Sequence, residues 1–506
     1  MKIFEVKHLA QADKMTIKNE GITSAELMER AATGVFREIH KQLKHDQIPI
    51  KIFCGIGNNG GDGLVVGRLL REEGYNVSVY IVNFTKDRTP DFLLNYNRLK
   101  DMGQPGSILL QSEEDFPQIP STDFVIDAIF GIGLNRAAEG WVAALINHIN
   151  NSKAFILSID MPSGLFSTKA LSPEDAVIKA NYTITFQAPK LVFYLPQTAE
   201  YAGDIQVLDI GLDRDYLNSV SPAAHLIDKE EALKLYIPRK LFTHKGNYGH
   251  SLIIGGSYGK IGSISLTATS TLRTGAGLVT IYSPECGYQI LQSVLPEAMV
   301  LTDEGEKELS NIKFDLDPDV ICFGMGAGTS DDTLKTYKEL LKSVKKPMVI
   351  DADGLNMLAK KKELLELIPP KSVLTPHPKE LEKLIGKWKD DFEKINKAKK
   401  FSKKYDVVLV MKDAHTLVIY DEDVYINNTG NPGMATAGAG DVLAGVITGL
   451  ISQKYTTLNA AVLGTYIHGK AGDIAAEKLS YQGMIAGDIT LNLGNAFLDL
   501  FINDAE

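Results

Sequence analysis

The sequence predicts two α/β domains with mostly parallel sheets, residues 1–220 and 221–506, and three observations carry that prediction. Its 506 residues exceed what one core organises, since single cores stop growing near about 250–300 residues and the chain then divides. Two separate series of short β-branched runs alternate with helical patterns, the signature of βαβ units in a sheet covered on both faces. Between the series the apolar pattern lapses into DIGLDRDYLNSVSPAAHLIDKEEALKLYIPRK, a polar stretch marked by Pro222 and Pro238, which puts the boundary near Ser219 to Ala224.

In the first series IKIFCGI, NVSVYIV, FVIDAIF, AFILSID and YTITFQA read as strands, with the helical run GLVVGRLLREEG after the first. In the second, HSLIIGG, LVTIYSP, DVICFGM, PMVIDAD, SVLTPH and VVLVMKD read as strands. Residues Thr416 to Asn428 instead read as a hairpin about an acidic turn. Lysine-rich stretches around Lys360, Lys387 and Lys397 read as solvated helix faces. Cys54, Cys286 and Cys322 lie far apart in apolar runs and read as buried free thiols, not as disulfides or a zinc site.

A 44% hydrophobic and 23% charged composition supports a large buried core and excludes wholesale disorder. The formal charge of −10 argues against a nucleic-acid partner, which would need a basic stripe. An anionic ligand must then be held locally, by backbone amides or helix N-termini. Charged residues interrupt the first twenty positions, and no run is long and apolar enough to span a bilayer, so the expected location is the cytoplasm, with no membrane partner.

Ligands of open parallel sheets bind outside the carboxyl ends of the strands, where three polar loops of the first half belong. They are Gly55 to Gly63, Asp127 to Leu134, and Asp160 to Gly164. Gly55, Gly57 and Gly60 match GxGxxG, but YIVNF ends on Asn83 where a ribose-binding acid is needed, and Asp62 would place a carboxylate at the phosphate turn. These are not dehydrogenase features. Each loop alone could be a tight turn with an Asp cap; three at one sheet edge point to a site.

In the second half, Asn431 to Asp441 leads into the helical run VLAGVITGLIS. A glycine-rich turn at a helix N-terminus aims free N–H groups and the positive end of the helix dipole at one point, an anion hole for a phosphate. Asp441 is poorly explained as a phosphate ligand; it reads as the base for an attacking hydroxyl, or else as a helix cap. His377, between Pro376 and Pro378, reads as an imidazole aimed into the site or as structural. Asp351 and Asp353 read either as placing Mg²⁺ through water or as capping the helix from Gly354. Lys190, in QAPK, reads as a surface lysine or as a charge stabiliser for the first site.

ITSAELMERAA, NNGGDGLVVGRLL, FVIDAIFGIGL and IDMPSG resemble the N-terminal domain of bifunctional NAD(P)H-hydrate repair enzymes over residues 1–215. HKGNYGHSLIIGGS, LRTGAGLV, DADGLNMLA, LTPHPKELEKL and NPGMATAGAGDVLAG resemble their ADP-dependent dehydratase domain over about residues 225–502. The resemblance implies a Rossmann-like three-layer epimerase domain followed by a ribokinase-like α/β domain. The first inverts the hydroxylated C6 of the reduced nicotinamide ring in NADHX and NADPHX. The second dehydrates the S-hydrate at the expense of ADP, giving AMP, phosphate and NAD(P)H.

Carried over by motif, Asn58, Asn59, Gly60, Gly61 and Asp62, with Gly131, Ile132, Gly133, Leu134, Asn135, Arg136 and Ala137, line the epimerase substrate. Asp160 binds it and moves the proton, and Asn59, Asp127 and Ser163 hold K⁺. ADP falls to Lys412, Asp413, Ala414, His415 and Thr416, and to Asn431, Pro432, Gly433, Met434, Ala435, Thr436, Ala437, Gly438, Ala439 and Gly440. Gly262, Gly326, His377 and Asp441 meet the hydrated dinucleotide, Asp441 as the catalytic base. The resemblance also implies Mg²⁺ in the dehydratase and a homo-oligomer. The chain departs from the family pattern at Ser263, Lys379 and Ala439, where Ala, Gly and Thr are common. Two other classes fit parts of this pattern: a kinase of a small alcohol or vitamin precursor, and a non-enzymatic dinucleotide sensor or scaffold.

Overall fold

A computed structural model describes residues 1–44, 48–103 and 106–502. Contacts divide the chain between Ala224 and His225 into two compact units. After a two-residue strand β1 (Lys2–Ile3), the first unit builds one sheet. Its strands are β2 (Ile50–Cys54), β3 (Val77–Val82), β4 (Ile108–Leu110), β5 (Phe124–Ala128), β6 (Phe155–Ile159), β7 (Tyr182–Phe186) and β8 (Asp204–Leu208). Their order is β4-β3-β2-β5-β6-β7-β8 and every pairing is parallel. Helices Ser24–Leu43, Asn58–Glu72 and Pro90–Asp101 cover one face and Gly140–Asn151 the other, with an apolar cluster under each.

The chain reverses its direction of travel across the sheet between β2 and β5. That switch point opens a crevice at the carboxyl ends of the two strands, between the loops starting at Gly55 and Asp127. The loops are drawn tight by missing side chains. A Cβ on Gly60 would overlap the Gly55 carbonyl oxygen, and one on Gly55 would overlap that of Ile129.

The second unit has β9 (Ala224–Ile227), β10 (His250–Ile254), β11 (Leu278–Ser283), β12 (Met299–Thr302), β13 (Val320–Phe323), β14 (Met348–Ile350), β15 (Val373–Leu374), β16 (Val408–Met411), β17 (Leu417–Tyr420) and β18 (Asp423–Asn427). They run in the order β9-β18-β17-β16-β15-β14-β13-β10-β11-β12. The pairing is parallel except where β17 runs against both β16 and β18, which is the hairpin expected over residues 416–428. All eleven runs read as strands contain one.

Five further strands carried no sequence signal: β1, β4, β8, β9 and β12. β4, β8 and β12 lie at sheet edges with exposed or half-exposed residues, so they lack the continuous apolar run of a strand covered on both faces. β9 lies inside the stretch read as polar boundary, yet buries Leu226 and Ile227. Cys54 and Cys322 are buried free thiols as expected, but Cys286 is half-buried in a 3₁₀ turn and not in a strand. Lys360 and Lys387 are solvated, whereas Lys394 in the same lysine-rich region is buried against Asp391, 2.8 Å away.

The helix Ala439–Ser452 is buried all round, which explains its nearly uniform apolar sequence. It packs on Ile261–Thr274 by presenting glycines to small polar residues, and a Cβ on Gly445 would overlap Ser270 Oγ and the Thr267 carbonyl oxygen. Gly445→Ala should therefore destabilise this unit. The inserted methyl costs about 1–3 kcal/mol, against at most about 1 kcal/mol returned by alanine's helix propensity. A lowered urea midpoint with unchanged far-UV circular dichroism is the expected result.

Candidate active sites

Asp127 ends β5 in register with Ser158 on β6, so parallel pairing itself brings the two side chains together. Asp127 is fully buried and accepts four hydrogen bonds. Ser158 Oγ and Ser163 N reach Oδ2, both at 2.8 Å, while Ser163 Oγ and Ile129 N reach Oδ1 at 2.5 and 3.3 Å. Burial pushes its carboxyl above the usual range, and these donors oppose the shift.

Asp160 follows β6 with φ +65°, a left-handed conformation uncommon for a residue with a Cβ. Its Oδ1 accepts from Lys190 Nζ at 2.8 Å, Thr185 Oγ1 at 3.3 Å and Phe186 N at 3.4 Å. Among the described residues Oδ2 has one partner, Ile132 N at 3.3 Å. Lys190 is 3% exposed, which overturns the surface reading of this lysine. Its ammonium also donates to Thr185 Oγ1 at 2.6 Å and to the Phe186 carbonyl at 3.0 Å, so all three of its protons are engaged.

The loop after β2 meets the loop after β5, since a Cβ on Gly131 would lie 3.2 Å from Asn59 Cβ. Asn59 is buried, and its amide oxygen and nitrogen both lack a partner among the described residues. Gly60, Gly61 and Asp62 are buried with it, whereas Gly133, Asn135 and Arg136 are exposed. Asp62 is pushed well above the carboxylate range by burial and by the charges of Asp160, Asp13 and Asp91. Asp13, on the helix Val6–Glu20, is raised to about 6 by burial and by Asp160. Ser158, Thr185 and Asp13 were not singled out from sequence. The first two belong to strand alternation and Asp13 to a polar helix, so no local signal marks them.

In the second unit Asn431 caps the 3₁₀ turn Pro432–Met434, and Asp473 ties this segment down by accepting from Gly430 N at 3.0 Å and Asn431 Nδ2 at 2.9 Å. An open cavity of about 390 Å³ lies beside it, lined by Asn431, Asp473, Glu477 and Tyr481 among others. Gly438, with φ +89°, is the N-cap of the helix Ala439–Ser452, and that helix has no side-chain cap. Asp441 is thus not a cap. It is half-buried in the first turn, hydrogen-bonded to the Ser263 side chain, one of the departures noted above. Burial first, then the charge of Asp351, raises its carboxyl to about 6, and Ser263 and Lys412 pull it down. His468, fully enclosed on the helix Thr457–Gly483, braces the loop from behind through Nε2 and the Ala439 carbonyl, 2.9 Å apart.

Lys412 follows β16 and pairs with the buried Asp351 at 2.9 Å, its ammonium 3.2 Å from where a Cβ on Gly440 would stand. The pair therefore lies against the anion loop. Asp351 also accepts from Ala352 N, while Asp353 accepts from Gly328 N at 2.9 Å and sits 3.6 Å from Lys260. Neither caps the helix Asp353–Lys360. Gly326, with φ +62°, leaves no room for a Cβ beside Lys260 and Ser263, and the Ser263 side chain is hydrogen-bonded to Asp441. His377 Nδ1 caps Pro378–Ile385 by accepting from Lys379 N and Glu380 N, so the structural reading holds for that nitrogen. Its ring remains 47% exposed, with Nε2 3.4 Å from Glu380. Asp413 to Thr416 continue from Lys412, with Asp413 3.9 Å from Lys394. Among the described residues no group of three or more His, Cys, Asp or Glu is placed to hold a metal, and no helix is long and apolar enough to cross a membrane.

Residues 251–493 match the family described as NAD(P)H-hydrate dehydratase, and residues 24–192 match the one described as YjeF-related protein N-terminus. A bifunctional NAD(P)H-hydrate repair enzyme from Moorella thermoacetica is 37% identical over 97% of this chain and 95% of its own length. One from Escherichia coli is 34% identical over 93% of this chain and 88% of its own. Among solved structures, an ADP/ATP-dependent NAD(P)H-hydrate dehydratase from Bacillus subtilis, co-crystallised with ATP and Mg²⁺, is 24% identical. It covers 55% of this chain and 99% of its own, with a TM-score of 0.48. Full-length identity at this level, with both halves matched in order, means that the chain belongs to the bifunctional NAD(P)H-hydrate repair enzymes.

Proposed function

We propose that residues 1–220 epimerise the C6 hydrates of NADH and NADPH and that residues 221–506 dehydrate the S-hydrate with ADP. The observation that carries the second half is the convergence of the Gly438–Gly440 segment, the Lys412 ammonium and Asp441. Backbone N–H groups and the ammonium take the terminal phosphate of ADP. Asp441 accepts the proton of the C6 hydroxyl as its oxygen attacks phosphorus and AMP departs. Phosphate then leaves with the C6–O bond, pushed by the ring nitrogen, and loss of a C5 proton restores the dihydronicotinamide. Gly262, Gly326 and the free edge of His377 border the dinucleotide, and the cavity beside Asn431 offers room for adenosine. Mg²⁺ would be held mainly by phosphates and water, since no carboxylate cluster is preformed among the described residues, with Asp351 and Asp353 positioned to reach it through water.

In the first half, the loops 58–62 and 131–137 line the hydrated ring and Asp160 moves its proton. K⁺ would be held by Asn59, Asp127 and Ser163; the buried, unpartnered Asn59 amide is the feature that fits an oxygen-seeking cation. The reading extends to a cytoplasmic enzyme, supported by its composition, and to a homo-oligomer, supported by the family resemblance.

The direct test incubates the protein with mixed hydrate epimers and ADP and follows the absorbance of the restored ring. Both epimers should be consumed; accumulation of a stable phosphorylated product would favour the small-alcohol kinase instead. Asp160→Asn should stop consumption after one epimer, because an amide cannot accept the proton.

Asp441→Asn should lower dehydration by at least about 10² while calorimetric ADP binding persists, the usual effect of losing a general base. The base must be ionised, and its carboxyl titrates near 6, so the wild-type rate should fall as pH drops through about 6. Lys412→Met should weaken ADP by about 10- to 100-fold, through loss of a charge-assisted hydrogen bond. It should also move that acid limb to higher pH, because Lys412 holds the Asp441 carboxyl down.

A further inference from the structure

Inverting a carbon that bears both a hydroxyl and a ring nitrogen needs a proton taken from one atom and given to the other. Asp160 is built to take it, with Oδ1 saturated by Lys190, Thr185 and Phe186 and Oδ2 bound, among the described residues, by the Ile132 amide alone. Asp62 is its opposite. It is 8% exposed, in the second turn of the helix Asn58–Glu72, and makes no hydrogen bond or ion pair among the described residues. A buried carboxyl without a partner is costly as an anion and stable as an acid. The two groups belong to one crevice, because Gly131 lies against Asn59 and the next residue, Ile132, donates to Asp160.

We propose that Asp62 is the general acid of epimerisation, acting with Asp160 as base to open and reclose the nicotinamide ring; this rests on the epimerase reading above. Asp160 takes the C6 hydroxyl proton, the C6–O bond becomes a carbonyl, and the C6–N1 bond breaks with its electron pair going to N1. N1 takes the proton of Asp62. Rotation about C5–C6 presents the other face of the aldehyde, N1 attacks it, and both protons return. No atom leaves and no co-reactant is consumed. Expelling the hydroxyl to form an iminium would instead invite loss of a C5 proton, which is dehydration without ADP.

Electrostatics agree. The charged groups facing this pair are Lys190 beside Asp160, Asp13 from the helix Val6–Glu20 and Asp91 from Pro90–Asp101. Burial and the charges of those acids push the Asp62 carboxyl well above the usual range, while the Lys190 ammonium lies 2.8 Å from Asp160. One carboxyl buried without an ion pair beside another that is paired with an ammonium gives the asymmetry that acid–base catalysis uses.

The test uses the full-length enzyme without ADP, separating the two hydrate epimers by chromatography. The wild-type rate should fall at high pH as Asp62 ionises. Asp62→Asn should lose at least about 10² in epimerisation rate with dehydratase turnover retained, the range expected for losing a general acid. Asp62→Glu should recover part of the rate and keep the alkaline limb. In ¹⁸O-water the wild type should invert C6 with less than one label per inversion, a readout that does not depend on any variant folding. A wild-type rate in Asp62→Asn, or one label per inversion, overturns the proposal and leaves the epimerase reading intact. A wild-type enzyme that does not interconvert the epimers at all overturns the reading itself.

Discussion

A lysine ammonium set against a carboxylate at the carboxyl edge of a parallel sheet recurs in both units, as Lys190 with Asp160 and Lys412 with Asp351. Charges at such depth persist only when paired and hydrogen-bonded, since an isolated ion there would neutralise. The pairs do opposite work. Lys190 occupies one oxygen of Asp160 and leaves the other to the Ile132 amide, on the loop after β5. Asp351, by contrast, holds Lys412 against the glycine-rich turn, where a positive charge reinforces the backbone N–H groups.

Around these pairs the chain is drawn close by absent side chains. Gly55 and Gly60 let the loops after β2 and β5 touch, and Gly445 lets the buried helix behind the anion loop approach its neighbour. The helix Ala439–Ser452 then cannot shift without displacing Gly438 and Asp441 at its start. Rigid placement of donors is what makes such a hole effective, because nothing must reorganise when charge develops.

Strands covered on both faces were legible because burial demands an unbroken apolar run, and the loops of both sites because glycine and aspartate there are hard to explain as packing. Edge strands such as β4 and β12 escaped, since half-exposed residues leave no pattern. Lys190 escaped for a related reason. A lysine's burial is decided by what folds over it, and the three acceptors that enclose it come from Thr185, Phe186 and Asp160.

The sequence by itself determined that there are two α/β halves, because periodicity is a local property of the chain, and its motifs carried the resemblance to the family. Tertiary structure alone decided the state of each charged group. Whether Asp62 lacks a partner among the described residues, Asp441 titrates near 6 or Asp351 meets Lys412 depends on burial and on neighbours that lie far off along the chain. Such energies are set by distance in space and by the loss of water, which no spacing along the sequence records.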